Sequence, residues 1–172
     1  MLNYLQSGIL SGGGCTKENV AINYATGTLM TAWGDSKPLL DTNVGNEFDG
    51  NSAQDNFNTA AKTAGATEYA AGKDWGAGNG KAIGQVKFYG NTVNGFGSSG
   101  VRTFTYYLEG SNDDSTYTQL ATVAILDPGD NTEQTLESGD KVTTYRYVRL
   151  RCTFTVLNGT LCEIQFFEWK CP

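Results

Sequence analysis

From residue 81 onward the chain repeats one pattern: short runs in which apolar and polar side chains alternate, cut by turn-formers every eight to twelve residues. "KAIGQVKFYG" (81–90) interleaves Ile83, Val86 and Phe88 with polar partners, and "VRTFTYYLEGS" (101–111) sets Phe104, Tyr106 and Leu108 on one parity. "YTQLATVAIL" and "TTYRYVRLRCTFTV" follow in the same manner. Alternation with period two buries one face of a strand and leaves the other in water. The pair Asn158-Gly159, set between two apolar runs, is the strongest hairpin signal in the chain. It also falls in a glycosylation acceptor triplet with Thr160, but the hairpin reading is preferred. Strands at this spacing predict an all-β fold, an antiparallel β-sandwich or jelly roll.

The first part of the chain is less regular. Residues 1–14 form an N-terminal extension, in which an apolar patch (Leu2, Tyr4, Leu5, Ile9, Leu10) precedes the hinge Ser11-Gly12-Gly13-Gly14. Such a segment is either a docking peptide or a frayed end. The domain proper is placed at 15–172, with "NVAINY" (19–24) as its first strand. The one stretch of helix-forming composition, "NTAAKTAGATEYAAG" (58–72), is mostly alanine and is interrupted by Gly65, so it is expected to be loop or a single turn.

A length of 172 residues suits one domain with one core. The net charge of −6 argues against a nucleic-acid partner, since that affinity rests on clustered Lys and Arg. The first residues lack the basic start and continuous apolar run of a signal peptide or membrane span, so no membrane insertion is expected. With no histidine, the Ser-His-Asp and Cys-His nucleophile arrangements are ruled out. Carboxylates are plentiful, but none sits in a glycosidase motif and a chain of this size leaves little room for a cleft. The expectation is a protein without enzymatic activity.

Two clusters need a chemical reading. In "FDGNS" (48–52), Asp49-Gly50 is either a plain tight turn or an oxygen-rich corner for a hard cation. The four cysteines, Cys15, Cys152, Cys162 and Cys171, lack the spacing of a zinc site, which leaves disulfides or buried thiols. Cys152 and Cys162 share parity with Val148, Leu150, Ile164 and Phe166 and are expected to face the core.

Phrases along the chain also resemble a known family, the discoidin or coagulation-factor type C domains, together with the carbohydrate-binding modules that share their galactose-binding-like jelly roll. In order, these are "NVAINYATGTLMTAW", "FDGNSAQDNF", "GNGKAIGQVKFYG", "YYLEGSNDDSTYTQLATV", "YRYVRLRCT" and "LCEIQFFEW", spanning about residues 15 to 171. The Thr and Trp that the family carries after the Asp-Gly turn are replaced here by Gln54 or Asp55 and by Phe57. The resemblance implies a structural calcium ion held by the Phe48 carbonyl, Asp49, Asn51, Ser52 and Glu163. It also implies a disulfide joining Cys15 to Cys171.

The resemblance further implies a non-catalytic binding module for carbohydrate such as a cell-surface glycan. Sugar recognition needs an exposed aromatic face and a few polar groups. The loop residues Trp33, Asp35 and Phe96 are the candidates, while Trp75 is expected to pack as a lid. Arg149 and Arg151 alternate with core residues and are expected on a solvated strand face. "AAGKDWGAGNGKAIGQVKFYG" resembles discoidin-type proteins of phage particles, which implies display on a virion or its appendage, or an extracellular location after lysis. In that setting the rival role is a structural or decoration subunit whose partners are other virion proteins or further copies of itself.

Overall fold

The computed structural model describes residues 19–22, 27–30, 33–34, 37–38, 48–50, 68–90, 103–126, 133–154 and 163–170. Their strands, in chain order, are β1 (Asn19–Ala21), β2 (Thr28–Leu29), β3 (Trp33–Gly34), β4 (Lys37–Pro38), β5 (Glu68–Asp74), β6 (Ile83–Tyr89), β7 (Thr103–Ser111), β8 (Thr118–Leu126), β9 (Glu133–Glu137), β10 (Tyr147–Phe154) and β11 (Glu163–Trp169). They form two sheets, ordered β1-β11-β6-β9 and β4-β3-β5-β10-β7-β8, with β2 beside β3 along β5. All strand pairings are antiparallel among the described residues. The expected antiparallel β-sandwich is the fold observed.

Period-two patterning builds the core. On β7, Phe104, Tyr106 and Leu108 turn inward, and on β10 Val148, Leu150 and Cys152 do the same, each within 1% of full burial. Phe88 of β6 closes the layer from the other sheet, its ring 4.4 Å from that of Tyr106. Cys152 therefore faces the core as its parity predicts; Cys15, Cys162, Cys171 and the Asn158-Gly159 turn lie outside the described residues, as do residues 1–14. Trp75 packs edge-on against Phe166 and is buried, as expected for a lid over the core.

Two strands depart from the sequence reading. Residues 68–72, the end of the stretch 58–72 expected as loop or a single turn, belong to β5 near the middle of the larger sheet. Its small residues answer to packing: a methyl at Gly72 would lie 2.2 Å from the Val148 carbonyl oxygen and 2.8 Å from Arg149 Cα. Backbone contact with β10 thus takes the place of β-propensity. Strand β9 was hidden because it pairs only with β6 among the described residues and turns a single fully apolar side chain, Leu136, into the core.

Candidate functional site

The strand registers show which strand ends lie together at one end of the sandwich. Lys81 bridges to Tyr145, so β6 and β10 start at the same end. Their far ends, Tyr89 and Phe154, therefore share the other. Tyr89 lies opposite Glu133 and Glu163, Phe154 opposite Phe104, Thr103 opposite Leu126, and Thr153 opposite Glu68. Trp33 lies opposite Ala70 and β3 runs antiparallel to β5, so β3 points toward the Glu68 end of β5. The segment carrying Phe96 is bounded by Tyr89 and Thr103. Asp35 and Phe96 themselves lie outside the described residues. Trp33, expected in a loop, belongs to strand β3, because its backbone completes the pairing along β5.

The corner at residues 48–50 is held to the start of β11. Phe48 is buried with its ring stacked on Phe166 at 6.0 Å, and Gly50 takes a φ of +86°, which its lack of a side chain permits. The Gly50 N–H donates to Oε2 of Glu163 at 3.2 Å, across 113 residues of chain. Glu163 is fully buried, whereas Asp49 is exposed. Asn51 and Ser52 are outside the described residues. The sequence reading missed Lys73, which shares the inward parity of Ala71 and Trp75 on β5 and is only 5% exposed. Its ammonium stands 4.9 Å from the Phe48 ring centroid. Burial pushes this lysine below its ordinary value, and the Glu163 charge draws it partly back.

That arrangement bears on the implied calcium ion. A dication needs several oxygens and prefers a net negative pocket. Among the described residues the corner supplies two carboxylates and one buried ammonium, and no group of three acidic, cysteine or histidine side chains gathers anywhere. Of the implied ligands, Phe48, Asp49 and Glu163 are among the described residues, and the buried Lys73 ammonium stands beside the Phe48 ring.

On the outer side of the larger sheet, Arg149 and Arg151 correct a second expectation. They point away from the core but are not solvated. Arg149 Nε donates to Glu109 Oε2 at 2.7 Å, while Arg151 donates from Nε and Nη2 to Oε1 at 2.9 and 2.8 Å. The Arg149 guanidinium lies 3.5 Å from the Tyr117 ring centroid and that of Arg151 lies 4.0 Å from Tyr107. Glu109 stands opposite Arg149 in register, which is the signal that links them once β7 and β10 are paired. At the end remote from Tyr89, Asp74 makes a two-point pair with Arg146 at 2.8 Å, and Asn112 Oδ1 accepts from the Arg146 N–H. These contacts tie the described residues of that end together.

No protein-family model matches the sequence, and no curated protein matches it. Solved structures do. A family 62 carbohydrate-binding module from Clostridium thermocellum Xyl5A superposes with a TM-score of 0.55 at 23% identity, over 86% of this chain and 97% of the module. The fold is the galactose-binding-like β-sandwich. A family 32 module from Clostridium perfringens, solved with GalNAc-β-1,3-galactose, matches with a TM-score of 0.60 at 14% identity, over 86% of this chain and 99% of the module. A chitosan-binding module of a Paenibacillus sp. IK-5 chitosanase/glucanase matches with a TM-score of 0.56 at 20% identity, over 87% and 98%.

Proposed function

We propose that this chain is a non-catalytic carbohydrate-binding module that takes its ligand at the end of the sandwich marked by Tyr89, Thr103 and Phe154. The observation that carries the reading is the match to single modules over nearly their whole length: the similar structures named above are carbohydrate-binding modules, and two are described by a sugar or polysaccharide that they bind. The register supports it, because the segments carrying Asp35 and Phe96 start from strand ends that lie together.

In this reading the paired sheets hold together the strand ends from which the loops leave. Trp33 and Phe96 offer aromatic faces to the C–H surface of a sugar ring, and the Asp35 carboxylate accepts from its hydroxyls. One such contact set is weak, and several copies on one carrier raise the effective concentration. Display on a virus particle has no support in the structures named above, and the proposal concerns the binding activity alone.

The test is a glycan-array screen of the full chain, presented multivalently on a streptavidin scaffold. The reading expects reproducible binding to one sugar class, lost on Phe96→Ala and retained on Asn79→Ala at the remote end. Silence across the array by a folded chain, or binding that Phe96→Ala, Trp33→Ala and Asp35→Ala all leave intact, overturns it.

A further inference from the structure

We propose that Lys73 is the resident counter-ion of the 48–50 corner, an internal ammonium that holds Glu163 and the turn together in the role a divalent cation would otherwise fill. The inference is independent of the carbohydrate reading.

Lysine is almost never fully buried unless it is paired, yet Lys73 sits on the inward parity of a central strand at 5% exposure. Its environment is built for a cation. The Phe48 ring presents its π face at 4.9 Å, and that ring is fixed in turn by Phe166. Cation–π attraction strengthens when both partners are withdrawn from water, as here. Glu163, 0% exposed on the facing sheet, accepts from Gly50, two residues beyond the ring that Lys73 faces. A carboxylate buried to that degree requires a compensating charge or several donors. The Gly50 N–H supplies one donor, and Lys73 supplies the charge.

The count of charges separates the two occupants. Asp49, Glu163 and Lys73 together carry one net negative charge, and the exposed Asp49 places that charge in water. A bound dication would turn the sum to plus one beside a buried ammonium, whereas without Lys73 the same dication would bring the corner to neutrality. The lysine and the metal are thus alternatives, and this chain carries the lysine.

The test uses the full chain stripped with EDTA. Calorimetric titration with calcium chloride is expected to give no binding with a dissociation constant below about 1 mM, and the melting temperature is expected to be the same in millimolar calcium and in chelator. Lys73→Met keeps the stem and removes the charge. It is expected to melt lower by about 5 °C or more and to regain part of that loss when calcium is added, while Lys73→Arg stays indifferent to calcium. One-to-one calcium binding by the unaltered chain, or a melting temperature that falls on chelation, overturns the proposal. So does a Lys73→Met variant as stable as the parent. Because the unaltered chain decides the first two outcomes, the test stands even if Lys73→Met does not fold.

Discussion

Replacing Glu109 with glutamine keeps the shape of the side chain and removes the one charge shared by two arginines. The side chains involved retain only 7%, 11% and 19% of their exposure for Glu109, Arg149 and Arg151, so water cannot readily take over from the carboxylate. Three charge-assisted hydrogen bonds converge on it. The amide oxygen keeps some of that bonding in weaker form, and the new amide hydrogens face guanidinium donors. Breaking a buried pair by neutralising one partner costs about 3–5 kcal/mol, and the residual bonding places Glu109→Gln at the lower end, about 3 kcal/mol. For a domain of this size that is a fall in melting temperature of about 6–12 °C. Urea unfolding followed by tryptophan fluorescence measures it directly, read as a lower midpoint at unchanged slope. Raising the salt concentration is expected to leave the difference nearly intact, since the pair is largely shielded from solvent ions. A loss below about 1 kcal/mol, the range of surface ion pairs, would refute the reasoning and return both arginines to a solvated face.

Two further outcomes follow from the packing and the charges. A methyl at Gly84 would lie 0.9 Å from Nε1 of Trp169, a ring only 4% exposed, so Gly84→Ala must displace it; we expect a loss of about 3 kcal/mol or more with a red-shifted tryptophan emission, and an unchanged melting curve would contradict the close contact of ring and strand. Asp74 is held below its ordinary value chiefly by its hydrogen bond from Arg146, and Asp140 by hydrogen bonds from Thr143 and Val142. Because the folded chain binds these protons less tightly than the unfolded chain, their contribution is present above about pH 4 and is lost as pH falls through the lower folded values. Melting temperature is therefore expected to drop on acidification below that point, with a shallower drop in Asp74→Asn; equal acid sensitivity in the two proteins would remove Asp74 from the account.

The sandwich was legible wherever one face of a strand is apolar and the other polar. Phe104, Tyr106 and Leu108, or Val148, Leu150 and Cys152, announce their strands because each pays for its place by burial on one side. β5 carries no such announcement: Gly72 is small because Val148 and Arg149 crowd it, a condition that exists only after β10 has paired. Glu163 was reached through the family resemblance, as an implied calcium ligand, and in the structure it accepts from the Gly50 N–H. Lys73 was not, because a lone lysine between Gly72 and Asp74 reads as solvated until the parity of Ala71 and Trp75 turns it inward. Arg149 and Arg151 were assigned to the correct face and to the wrong environment, since their partner Glu109 lies 40 residues away and meets them only through the β7–β10 register.

The binding reading is tested most directly by recording amide NMR spectra of the full chain during titration with galactose, N-acetylgalactosamine and chitosan oligosaccharides. The account predicts that at least one of them shifts amides at the ligand end, among them Tyr89, Thr103, Glu133 and Glu163, and leaves residues 75–82, 111–117 and 138–146 in place. Shifts confined to those remote loops would contradict it, and so would a spectrum that stays unchanged up to sugar concentrations of about 10 mM, a range that captures even weak single-site contacts.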